Sequence, residues 1–199
     1  WSEVYDDVAD QVERVRSGEA TWNKALLLIL ERSGYPEETY HSFSYSPLFQ
    51  SDGTIGGLLC VVTEETARVI SERRLETLRH LGSLLVNVTD RAGIQDAVRS
   101  TFAANRKDFP FVALHLAGDD VPDDNMALFQ SAEPRFGGAF NLAGNVIALP
   151  AHVDWPQGDW DRPPSKAIAV AVPAPGSESV AGSLVLALNP YREPDEDVL

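Results

Sequence analysis

Four histidines, one cysteine and a short run of acids are the residues whose types could carry chemistry here, and their spacing decides what each can do. His41, His80, His115 and His152 lie far apart, and none stands at metal-ligand spacing from a second histidine or from Cys60. A phosphoacceptor histidine needs an exposed helical position with an acid beside it, whereas His80 is followed by Leu81 and Gly82. All four histidines therefore read as structural. Asp119, Asp120, Asp123 and Asp124 surround Pro122 and lack the alternating ligands, central glycine and terminal glutamate of a calcium loop. They read as a solvated hairpin turn. Cys60 sits in an apolar strand, where a buried thiol is inert. Gly56-Gly57 and Gly137-Gly138 lack the spacing and the lysine of a phosphate loop. There is no serine nucleophile elbow and no kinase ATP-binding motif. The sequence thus assigns no catalytic residue, no metal site and no cofactor.

The elements that would position these residues fall into two groups. Val4, Val8, Val12 and Val15 step by four, four and three, which is one face of an amphipathic helix over 3–16. Ser2 reads as its N-cap, and Gly18 sits just past its end. Three strands follow over 20–30, 38–48 and 54–63, separated by turn signals at Ser33-Gly34-Tyr35-Pro36 and Asp52-Gly53. In the second strand Tyr40, Ser42, Ser44 and Ser46 face one way, and His41, Phe43, Tyr45 and Pro47 the other. A helix and a three-strand meander in about 60 residues bury little surface alone, so this half calls for a further segment or a partner.

Residues 64–88 read as one continuous helix, capped by Thr63, with Glu64 and Glu65 in the first turn where acids complement the helix dipole. Leu75, Leu78, Leu81, Leu85 and Val88 step by three, three, four and three, a narrow seam that suits a helix partner. A second helix spans 91–105, with Ile94, Ala97, Val98 and Phe102 on one face. Residues 111–116 form a strand and 127–132 its return. The stretch 134–165 is irregular and rich in Gly, Pro and Trp, with a short strand over 147–149 and His152. Residues 166–173 and 180–188 are nearly all apolar and read as strands in the middle of a sheet. The order predicts an α+β fold: a three-strand antiparallel meander, a connecting helix, then a central antiparallel sheet flanked by helices.

Composition bounds the function. Hydrophobic residues make up 44% and charged residues 23%, enough for a real core. The formal net charge of −14 repels a polyanion, so no nucleic-acid partner is expected. No apolar run approaches the ~18 residues of a membrane span, and no membrane insertion is expected. One cysteine excludes an internal disulfide framework and is compatible with a cytoplasmic location. The chain opens at Trp1, and Met126 is its only methionine. It closes on an acidic, helix-ready run, so both ends read as cut from a longer protein.

Particular motifs sharpen this reading. Gly18-Glu19-Ala20-Thr21-Trp22, then Gly34 to Tyr40, Phe43-Ser44-Tyr45-Ser46-Pro47, Asp52-Gly53 and Gly56-Gly57 resemble the C-terminal half of PAS domains in bacterial sensor kinases. Val62-Thr63-Glu64-Glu65-Thr66 resembles the Asp-Ile-Thr exit motif of that family, with Val61 where the family often has the Asp that pins the exit helix to the core. Arg73-Arg74-Leu75, Phe111-Val112-Ala113-Leu114, Ala181-Gly182-Ser183-Leu184 and Leu188-Asn189-Pro190 resemble GAF domains that precede histidine-kinase modules.

The resemblance implies a partial PAS domain over 1–63, a connecting signalling helix over 64–88, and a GAF-like domain over 89–199 whose first helix overlaps the connector. In GAF domains the irregular segment often bounds a ligand pocket, which assigns Phe136, Phe140, Trp155 and Trp160 either to such a pocket or to core beneath a long loop. The GAF half has no cysteine, so a covalent bilin is not implied. The implied role is non-catalytic sensory input to a histidine kinase, relayed through the connecting helix. A homodimer on Leu75, Leu78, Leu81 and Leu85 is one reading of the seam; packing of these leucines on the GAF sheet is the other. The same sensors could equally regulate a phosphatase, a cyclic-dinucleotide enzyme or a transcription factor.

Overall fold

The valine face of the first helix organises the first compact unit, residues Trp1–Arg73. The computed structural model describes residues 2–118, 145–174, 176 and 180–194. Helix α1 (Tyr5–Arg16) follows a short 3-10 turn, Ser2–Val4. The N-cap position falls on Val4 rather than Ser2, and no side chain caps the helix. Val8 and Val15 pack on Phe43 and Tyr45, while Val4 packs on Leu28 and Leu30. Those partners come from three antiparallel strands, β1 (Thr21–Glu31), β2 (Pro36–Phe49) and β3 (Ile55–Glu64), in the order β1-β2-β3. The alternation read in β2 holds: His41, Phe43 and Tyr45 are buried on one face.

Two features of this sheet depart from a simple meander. The β1–β2 register shifts between Asn23 and Leu26, where Ala25 takes a φ of 47°. That conformation costs a non-glycine residue about 1–2 kcal/mol, and the Ala25 N–H is redirected to the Ser42 hydroxyl at 3.0 Å. The second departure is β3. Leu58, Leu59, Cys60, Val61 and Val62 are all exposed, on both faces of an edge strand. The expectation of a buried Cys60 is thereby corrected, because among the described residues β3 has a neighbour only on its β2 side. The apolar surroundings still push the Cys60 thiol pKa up.

Helix α2 (Thr66–Leu85) contains the boundary between the two units, which falls between Arg73 and Arg74. Thr63 does not cap this helix, since β3 continues through Glu64. In the second unit helix α3 (Arg91–Ala103) is capped by Asp90, whose carboxylate accepts the Gly93 N–H at 2.8 Å. Strands β4 (Val112–Leu116), β5 (Asn145–Ala148), β6 (Lys166–Pro173) and β7 (Val180–Ala187) form an antiparallel sheet ordered β4-β7-β6-β5.

The apolar strands β6 and β7 are the interior pair, with Ala167, Ala169, Val185 and Ala187 buried beneath Ile147, Leu149 and Trp155. Small residues suit this core because strands and cover approach closely. At Gly182 a Cβ would stand 2.2 Å from the His115 carbonyl oxygen. His152 lies in a turn after β5, not in a strand. The return strand read over 127–132 and the acidic turn at Asp119–Asp124 lie outside the described residues.

Candidate functional site

Tyr40 is where the sheet of the first unit takes hold of α2. It sits on β2 facing away from the α1 side, and it is buried. Its backbone carbonyl accepts the Glu65 N–H at 2.8 Å, and its own N–H donates to the Thr66 hydroxyl at 3.0 Å. Thr66 in turn donates to Glu64 at 2.9 Å. The first turn of α2 is therefore stitched to the β2 backbone before any side chain farther along the helix takes part.

Two turns on, Arg73 reaches back to the same strand. Its guanidinium donates to both carboxylate oxygens of Glu38, at 2.9 and 3.2 Å. The Tyr40 hydroxyl donates to Glu38 at 2.8 Å and accepts from Arg73 at 3.2 Å. The Glu38 side chain is fully buried and that of Arg73 is 18% exposed. A buried carboxylate persists only where donors satisfy it, and a bidentate arginine supplies them in planar register. Burial, reinforced by the Glu38 charge, pushes the Tyr40 phenol up to about 12. Ile70, one turn before Arg73, is buried and supplies the apolar part of the anchor.

Charged clamps surround this triad. Arg32, in the β1–β2 corner, bridges Glu64 at 2.8 Å and Glu37 at 3.2 Å. Hydrogen bonding from Arg32 holds the Glu64 carboxyl below its ordinary range. Glu65 accepts from the Ser42 hydroxyl and from Arg68, and those bonds lower its pKa too. The start of α2 is tied down by Glu38, Glu64 and Glu65. Sequence reading missed Glu38 and Arg73. The available signal was an acid two residues before Tyr40 on a strand otherwise half buried.

Beyond this anchor α2 exposes leucines alongside the charged Glu76 and Arg79. Leu75 and Leu78 are each 67% exposed and Leu85 is 38% exposed, with Leu81 half buried between them. Three of the four leucines read as a seam are therefore exposed.

The aromatic candidates separate. Phe136 and Phe140 lie outside the described residues. Trp155 is in the core of the second unit, stacked on Phe111 at 5.1 Å, with its indole N–H donated to the Pro150 carbonyl at 3.0 Å. Trp160 is likewise buried, against Tyr191 at 5.0 Å, and donates to the Lys107 carbonyl at 2.8 Å. Among the described residues no three of His, Cys, Asp and Glu come together as a metal-binding group, and no helix is long and apolar enough to cross a membrane. No protein-family model matches this chain, and no curated protein matches it significantly in sequence.

Proposed function

We propose that this chain is the sensory input region of a larger bacterial signalling protein, a histidine kinase of a two-component system, and that it works by conformational relay rather than catalysis. The observation that carries the reading is the contrast between the two halves of α2. The first half is fastened to a sheet by a buried ion pair and, at its start, by two hydrogen bonds to the Tyr40 backbone. The second half offers Leu75, Leu78 and Leu85 to water. A helix fastened through its first half and carrying exposed leucines along its second can report a change at the anchor as a change in pairing. A signal moves such an equilibrium only through its differential affinity for the two states.

The seam fits a second copy of the same helix, giving a parallel homodimer in the cytoplasm, with the output domain following on the same polypeptide. Burying a leucine at such a seam contributes about 2 kcal/mol, so a few per chain suffice for reversible pairing. The PAS-like reading of residues 1–63 and the GAF-like reading of residues 89–199 rest on the quoted motifs, with which the α+β architecture agrees. Static light scattering tests the proposal. The chain is expected to dimerise with increasing concentration, and the Leu75→Glu, Leu78→Glu double variant to remain monomeric with unchanged circular dichroism. A strict monomer for the parent chain at high concentration would overturn it.

A further inference from the structure

A cleft of about 560 Å³ opens in the second unit between α3 and the segment that leads into β4. Small-molecule sites span about 300–1,000 Å³. The floor is apolar. Phe102 and Phe109 meet edge to face at 5.2 Å, and Val112 and Leu114 of β4 lie beside them. Ala113, between those two on the strand, packs instead on the core cluster around Trp155. The cleft and that cluster are therefore on opposite faces of the sheet.

The rim gives the cleft its sign. Arg99 and Arg106 line it, and no acid among the described residues does. Arg99 is steadied by Asp96 at 2.8 Å. Arg106 donates to the Gly158 carbonyl at 3.1 Å, with Asp159 at 3.8 Å. A guanidinium carries five N–H donors, so these contacts orient each head while using a minority of its capacity. Guanidinium forks match carboxylate, sulfonate and phosphate groups, and apolar floors take flat hydrocarbon bodies.

We propose that this cleft binds a small organic anion, its flat apolar body on Phe102 and Phe109 and its anionic group on Arg99 or Arg106. The site is independent of the relay assigned to α2, and its occupancy is measured directly by binding. Isothermal titration of the full chain at low salt with naphthalene-2-sulfonate should give one saturable site. Arg99→Gln changes an exposed side chain and should weaken binding about tenfold, the worth of one charge-assisted hydrogen bond. Ala103→Trp, at an exposed position on the cleft wall, should abolish binding while circular dichroism stays unchanged. The neutral analogue 2-naphthol should bind more weakly than the sulfonate. Absence of saturable binding overturns the proposal. So does parental affinity in both variants, or equal affinity for 2-naphthol, which would leave the arginines without a role.

Discussion

Arg73 lays its guanidinium along the carboxylate of Glu38, although 35 residues separate them in the chain. Removing one partner of such a buried pair strands the other charge, which costs about 3–5 kcal/mol, whereas replacing both with apolar residues is often close to neutral. Arg73→Leu alone is therefore expected to lower unfolding stability by about that amount. The Glu38→Leu, Arg73→Leu double variant should recover most of it. Urea denaturation of the four members of this cycle measures the coupling, and simple additivity would contradict the pairing.

The Tyr40 phenol adds a pH signature. Its folded pKa is raised to about 12 by burial and by Glu38, against about 10 for an unfolded tyrosine. A raised folded value means that the contribution is complete below pH ~10 and is lost as pH climbs toward 12. Urea midpoints should fall across that window and fall less in Tyr40→Phe. Tyrosinate absorbance from Tyr40 should appear at higher pH than that from the exposed Tyr5.

His41 works in the other direction. Burial lowers its pKa below the ordinary value near 6.5. The unfolded chain then binds the proton more readily, so stability is complete above pH ~6.5 and declines as pH falls through that point. The decline begins well above the ordinary carboxylate range near pH 4. His41→Gln is expected to flatten the stability profile between about pH 7 and pH 5, as read by thermal melts in matched buffers.

Gly182 and Gly82 make an opposed pair. A methyl at Gly182 would meet the His115 carbonyl and the Leu116 Cα, both backbone, at 2.2 and 3.0 Å. Gly182→Ala should cost about 3 kcal/mol and speed hydrogen exchange along the β4–β7 ladder. Nothing lies within 4 Å of a Cβ at Gly82, which sits inside α2. Gly82→Ala should stabilise by about 0.5–1 kcal/mol through helix propensity. Differential scanning calorimetry of both variants checks the two signs.

Local patterns carried most of the architecture. The valine spacing of α1, the alternation along β2 and the all-apolar strands β6 and β7 each report a periodicity that packing then obeys. What stayed hidden depends on groups distant in sequence. The bulge at Ala25 needs the Ser42 hydroxyl to receive its N–H, and no property of residues 23–26 announces that. The apolar run 58–62 reads as buried, yet burial requires a neighbour, and a strand cannot declare from its own residues whether it has one. The anchor was invisible for the same reason: Glu38 looks like an ordinary strand acid until Arg73 arrives on a helix two elements later.

That open strand also governs how the molecule behaves in a tube. Between Ile55 and Val62 there is neither a charge nor a proline, the gatekeepers by which edge strands discourage adventitious addition. Among the described residues no strand pairs with the outer edge of β3, and an open edge is a template of the kind from which cross-β fibres are seeded. Fibre growth at high concentration is therefore expected to start at this strand, through a nucleation process with its own concentration law that a melting temperature does not report.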